Sequence, residues 1–99
     1  MSIDDVEERV GSLLGTIGTL GAVVKFELKD EGVLRIDATS SPAVVSREDG
    51  PADTSIRISS DNLLKLMDGN MDPMVAFAMG KIKVEGSKGL AMKLTSLLK

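Results

Sequence analysis

Two hydrophobic periodicities divide the chain, and each predicts a different kind of element. Near the N-terminus, apolar residues recur at the spacing of one helix face, at Ile3, Val6, Val10, Leu13, Leu14 and Ile17. This spacing predicts an amphipathic helix. From Val23 onward the period changes to two, because Val24, Phe26 and Leu28 alternate with charged residues. A period of two is that of a strand with one buried face.

The alternation continues along the chain and predicts a sheet. We expect strands over residues 23–28, 34–38, 42–47, 54–58 and 81–85. Asp30-Glu31-Gly32 and Asp49-Gly50-Pro51 read as turns between consecutive strands. Since every strand keeps one polar face, the pattern favours a mostly antiparallel sheet that is covered on one side only.

Cap residues predict three further helices in the second half of the chain. Ser60 or Asp61 begins a helix that Gly69 ends, and Asp72-Pro73 begins another that runs to Gly80. Ser87 caps the last helix, where leucines recur at helical spacing. The predicted fold is therefore α+β, with a five-stranded sheet under about four to five helices. At 99 residues we expect one domain, over residues 1–99.

Composition removes most catalytic chemistry. The chain has no cysteine and no histidine, so thiolate nucleophiles, disulfides and the commonest general base are excluded. Adjacent carboxylates such as Asp4 with Asp5 and Glu48 with Asp49 fall at predicted exposed ends and suit neither an acid/base pair nor a metal site. We expect no catalytic residue, no metal site and no cofactor, and hence no enzyme.

Charge and hydropathy indicate which partners and which location to expect. The net charge is −3 and only two aromatic residues, Phe26 and Phe77, occur, both on faces that we predict to be buried. A basic, aromatic nucleic-acid surface is therefore not expected. No apolar run approaches the roughly 20 residues of a spanning helix, and no basic leader followed by an apolar stretch is seen. These features predict a cytoplasmic location.

Methionine is concentrated in the last forty residues, which hold five of the six. Its unbranched, polarisable side chain fills irregular apolar shapes, either in a core or against varied ligands. For a single methionine the packing role is the commoner one. Their joint placement around Gly69 and Gly80 favours the wall of an apolar cavity.

Three blocks of the same region carry a family resemblance. They are Gly-Asn-Met-Asp-Pro at residues 69–73, Phe-Ala-Met-Gly-Lys-Ile-Lys at 77–83, and Gly-Ser-Lys-Gly-Leu-Ala-Met-Lys-Leu at 86–94. With the predicted element order, they resemble the sterol carrier protein type 2 (nonspecific lipid-transfer) family. The resemblance implies an α/β sandwich around an apolar tunnel that accepts sterols, fatty acids, fatty acyl-CoA and phospholipids. It implies binding rather than catalysis.

The resemblance also indicates site residues. The expected tunnel wall consists of Met67, Met71, Met74, Phe77, Met79, Ile82 and Met92. Lys88 departs from the family, which commonly has methionine at this position. Because Lys88 opens the last helix, where free N–H groups favour an anion, we expect it to be a candidate for contacting a lipid head group.

Two functions follow from these residues. The first is intracellular binding, and transfer, of lipids in an apolar cavity, with a lipid or fatty acyl ligand as the partner. The alternative is a protein–protein interaction module that uses an exposed apolar groove and takes no lipid. The sequence leaves open a transient membrane contact and a homodimer, although the acidic N-terminal helix should be repelled by anionic bilayers.

Overall fold

A five-stranded mixed sheet forms the centre of the computed structural model, which describes residues 3–29, 31–40 and 42–98. Its strands are β1 (Val23–Leu28), β2 (Gly32–Asp37), β3 (Val44–Ser46), β4 (Thr54–Ile58) and β5 (Lys83–Gly86). They lie in the order β3-β2-β1-β4-β5. Neighbours are antiparallel except for β1 and β4, which are parallel. The predicted mostly antiparallel sheet is confirmed.

The second predicted turn has a different role from the one expected. Residues 49–51 do not fold β4 back onto β3, because β3 pairs with β2 and β4 pairs with β1. The connection instead crosses from one side of the β1–β2 hairpin to the other. The ammonium of Lys25 holds it there, donating to Asp49 at 2.8 Å and to the carbonyl of Gly50 at 3.3 Å. Asp30, in the first predicted turn, lies outside the described residues.

Five α-helices and one 3₁₀ turn accompany the sheet within the described ranges. They are α1 (Ile3–Ser12), α2 (Leu14–Ile17), the 3₁₀ turn Gly18–Leu20, α3 (Ser60–Met67), α4 (Pro73–Ala78) and α5 (Lys88–Leu97). The single N-terminal helix predicted from the spacing is wrong, since the chain leaves the helical conformation at Leu13. Gly11 and Gly15 flank this break, and each lowers helix propensity by about 1 kcal/mol relative to alanine.

The core lies between the helices and one face of the sheet. Alternate residues of β1, β2 and β4 are buried, including Val24, Phe26 and Leu28 of β1, and Val6 and Val10 of α1 are buried with them. The opposite face carries charged side chains that pair with one another. The guanidinium of Arg57 lies 3.1 Å from the carboxylate of Glu27, its neighbour across β1 and β4. Helices therefore cover one face, as predicted.

Side-chain caps fix where the last three helices begin. The N-cap of α3 is Ser59, whose hydroxyl accepts from the Asn62 N–H at 3.2 Å, so the predicted cap at Ser60 or Asp61 is wrong by one or two positions. Ser87 caps α5 as predicted, accepting from the Leu90 N–H at 3.2 Å.

Candidate functional site

An apolar space lies between α4, β5 and α5. It has a volume of about 10 Å³ and is lined by Pro73, Phe77, Ile82, Val84, Ala91, Met92 and Thr95. We call this space and its lining the α4–α5 cleft. The hydroxyl of Thr95 donates to the carbonyl of Met92 at 2.9 Å, so the one polar side chain of the lining already uses its proton. The cleft is therefore small and apolar.

The wall formed by α4 is a short helix capped at both ends. The carboxylate of Asp72 accepts from the N–H groups of Met74 at 2.8 Å and Val75 at 3.3 Å. At the other end, the Gly80 N–H donates to the Phe77 carbonyl at 3.1 Å, and the chain turns there with a φ of +76°. This closure is the usual one for a helix that ends in a left-handed glycine. The helix is therefore held in shape by its own ends.

Few side chains of α4 are buried against the rest of the fold. All six of its residues are apolar, yet Ala76 is the one buried side chain among them. An apolar side chain left in water forgoes about 25 cal/mol for each Å² that burial would cover. The stability of α4 in this position therefore rests on few buried atoms.

The opposite wall, α5, is anchored firmly. Its N-cap is tied to the sheet, because the Thr54 hydroxyl donates to the Ser87 carbonyl at 2.9 Å. Just before it, Gly86 has a φ of +86°, and a Cβ there would lie 2.6 Å from the Asp53 carbonyl oxygen. Along the helix, Leu94 is fully buried. The cleft thus has one firm wall and one loosely held wall.

Three of the seven side chains expected to form the tunnel wall meet in the cleft. Phe77 and Met92 line it from the two helices, and Ile82 lines it from the segment between α4 and β5. Ile82 is buried, whereas Phe77 is 42% exposed and Met92 is 39% exposed. The prediction that Phe77 lies on a buried face is therefore wrong: its side chain reaches from the cleft to the surface.

The other four expected wall residues do not line this space. Met67 is buried in α3, Met71 is half-buried against the core, and Met74 and Met79 are exposed on the outside of α4. Their role as wall residues stays a prediction.

Sequence reasoning missed four residues of the lining. They are Pro73, Val84, Ala91 and Thr95. Ala91 and Thr95 stand one turn apart on the buried side of α5. The helical spacing of the leucines in α5 therefore also predicts that Ala91 and Thr95 face the core. Val84 alternates with two charged neighbours and could have been found in the same way.

Lys88 is the first residue of α5 and is exposed. It lies one turn before Met92, at the surface end of the cleft lining. No ion pair involves Lys88 within the described residues. Its role as a head-group contact stays a prediction.

A larger surface depression is of a different kind. It holds about 530 Å³ on the outer face of the sheet, with Glu27, Lys29, Asp49, Arg57 and Lys83 in its lining. The hydrogen bond from Lys25 lowers the pKa of Asp49 and raises the pKa of Lys25 itself. Arg57 pairs with Glu27 and Lys25 pairs with Asp49, and the depression lacks the apolar wall that a lipid chain needs.

The described residues form neither a candidate metal site nor a helix that could span a membrane. No cluster of three or more acidic residues there could hold a metal ion. Among the described helices, none has the length and apolar character needed to cross a bilayer.

Comparison with known proteins gives a consistent result. The model of the SCP-2 sterol transfer family matches residues 3–99. Sterol carrier protein 2 of Bos taurus is 37% identical over 84 residues, which cover 79% of this chain and 16% of the bovine protein. The chain therefore spans about a sixth of the length of the curated relatives it matches.

Solved structures agree on the fold. The solution structure of sterol carrier protein domain 2 of Helicoverpa armigera has a TM-score of 0.70 and 30% identity, covering 84% of this chain and 70% of that one. Palmitated SCP2L2 from Aedes aegypti has a TM-score of 0.72 over 99% of this chain and 95% of that one. At 21% identity, the second likeness speaks for the fold alone.

Proposed function

Because this chain belongs to the SCP-2 sterol transfer family, a family of lipid-binding domains, we propose that it binds a long-chain fatty acid in the α4–α5 cleft and transfers it. The observation that carries this proposal is the lining of the cleft, which has six apolar side chains and a threonine whose proton is already donated. A hydrocarbon chain needs such a surface, since it offers no polar group in return.

Binding requires the cleft to widen. Its volume of about 10 Å³ has room for roughly one water molecule, whereas ligand cavities typically hold about 300 Å³ or more. The wall that moves is α4, because its caps keep it helical while Ala76 alone is buried. Residues between Gly69 and Gly80, which both have positive φ, move with it. Hinges of moving segments are commonly a few residues at the ends of elements, often small ones.

Ligand selection follows from the same lining. With no free polar group inside, affinity depends on buried apolar area and is shared by fatty acids, acyl-CoA and sterol-like lipids. The carboxylate of a fatty acid stays at the surface, where Lys88 opens α5 and has no ion pair among the described residues. The Aedes aegypti protein of the same fold was solved with palmitate, so palmitate is the first fatty acid to test.

Native mass spectrometry of the purified protein with palmitate tests the proposal. We expect one palmitate for each monomer, and displacement of that palmitate by a second fatty acid. The interaction module predicts instead a protein that takes no lipid and whose oligomeric state rises with concentration. That outcome, together with no lipid in a solvent extract of the fresh protein, would replace lipid binding by protein association.

A further inference from the structure

An apolar patch covers the outside of the cleft. It consists of Met74, Val75, Phe77 and Met79 around α4 and of Met92 on α5. Each is between 39% and 64% exposed. Among the described residues, the one other large apolar side chain exposed to this degree is Val44 on β3. We call these five residues the α4 patch. Large exposed apolar residues gathered in one place mark an interaction surface.

Unpaired positive charge surrounds the patch. Lys81 follows Met79 by two residues, Lys88 lies one turn before Met92, and Lys93 follows Met92 directly. No ion pair in the described part of the chain involves any of these three lysines. Elsewhere some cations are paired, as in Arg9 with Asp68 at 2.6 Å. The lysines are therefore free to meet an anionic partner.

The C-terminal part of the chain is basic, although the chain as a whole is acidic. Fourteen of the 15 acidic residues lie in the first 72 positions, whereas the last 27 positions hold five lysines and one glutamate. A chain whose net charge is −3 thus has a basic C-terminal part. Such an asymmetry orients a protein toward a negatively charged surface.

We infer that the α4 patch and its lysines dock on the surface of a bilayer that contains anionic phospholipid. Apolar side chains that enter the interface, with lysines beside them, are the usual combination for such binding. The inference rests on the proposed function in one respect, since Phe77 and Met92 belong to both the patch and the cleft lining. A lipid leaving the cleft between them enters the membrane without crossing water.

A second copy of the chain fits this surface less well. An isologous dimer through the α4 patch would bring the two sets of lysines together, and like charges across an interface oppose association. An acidic protein would match the charge of the lysines. Its binding would not explain why the patch includes Phe77 and Met92, which also line the cleft. Both occupants remain outcomes of the test.

The experiment is sedimentation of the full chain with vesicles of phosphatidylcholine, with or without phosphatidylserine. We expect binding only when phosphatidylserine is present, and weaker binding at high salt. Val75 and Val44 are both 54% exposed, so Val75→Gln and Val44→Gln form a matched pair. Val75→Gln should weaken binding about fivefold, the effect of a half-buried valine, while Val44→Gln leaves it unchanged.

A double lysine variant and a control variant test whether the lysines contribute to vesicle binding. Lys81→Gln with Lys93→Gln should weaken binding more than about tenfold, whereas Lys65→Gln on α3 should have little effect. Equal binding of the wild type and of the Val75 and double-lysine variants would overturn the inference. So would wild-type binding to a polyglutamate resin but to no vesicle, or an oligomer that Val75→Gln dissociates.

Palmitate binding without vesicles separates this inference from the proposed function. Val75, Lys81 and Lys93 do not line the cleft, so their variants should bind palmitate as the wild type does. A protein that binds palmitate but no vesicle refutes the docking surface alone. A protein that binds no palmitate refutes the proposed function, whatever its behaviour on vesicles.

Discussion

Phe77 of α4 and Met92 of α5 line one small cavity from two helices, and both also reach the solvent. They are therefore the side chains of the lining that connect its inside with the surface of the molecule. Methionine adapts its shape at low cost, and it makes favourable contacts with aromatic rings. In the proposed function, these two side chains separate to admit the lipid.

Phe77→Ala should separate stability from binding. Because Phe77 is 42% exposed, its truncation should lower the free energy of unfolding by only about 1 kcal/mol, while palmitate affinity falls. Phe26→Ala is the matched control, since Phe26 is fully buried and its loss should cost about 3 to 5 kcal/mol. Denaturant unfolding of the two variants makes the comparison. Equal losses of stability would place Phe77 in the core.

Lys88→Met should distinguish ligands by their head groups. If Lys88 meets a carboxylate, the variant should bind palmitate about fivefold more weakly, the effect of one partly screened charge contact, while sterol binding stays level or improves. Lys93→Met, on the same helix, is the control. Paired titrations with palmitate and cholesterol decide it, and equal changes for both ligands would leave Lys88 without a head-group role.

Gly86→Ala should be strongly destabilising. The new Cβ would lie 2.6 Å from the Asp53 carbonyl oxygen at a φ of +86°, so both contact and conformation are unfavourable, and we expect a loss of more than about 2 kcal/mol. Gly89→Ala is the control. The Cβ that this substitution adds would meet no neighbouring group within 4 Å, and alanine favours the helix by about 1 kcal/mol relative to glycine. Thermal unfolding should show shifts of opposite sign.

The connection between β3 and β4 should respond to acid. Bonding to Lys25 lowers the pKa of Asp49, so its stabilisation is present above the ordinary carboxyl value of 3.8 and is lost as the pH falls through the lowered value. Asp49→Asn should therefore reduce the loss of stability in acid. Glu48→Gln, next in the chain, is the control. Unfolding at neutral and acidic pH measures this, and an unchanged acid response in Asp49→Asn would contradict it.

Local patterns predicted most of the elements, because strands with one buried face and helices with polar caps leave a direct trace in sequence. The alternation around Phe26 and the Asp72-Pro73 start of α4 are examples, and both are confirmed. The parallel pairing of β1 with β4 has no such trace, because it depends on where a connection crosses the sheet.

The site was harder to predict than the fold. Hydrophobicity indicates which residues can be buried but not which are left outside, so the exposure of Phe77, Met74 and Met79 could not be read from the sequence. The small volume of the cleft likewise depends on how α4 and α5 pack. The cytoplasmic location and the homodimer stay predictions.

Methyl NMR of methionine tests the central claim most directly, because Met92 alone of the described methionines lines the cleft. Titration with carbon-labelled palmitate should shift the Met92 methyl signal and saturate at one equivalent. Contacts from the palmitate chain to this methyl and to the Phe77 ring should appear together. A titration that leaves Met92 unchanged, or that places palmitate only beside Met67 of α3, would contradict lipid binding between α4 and α5.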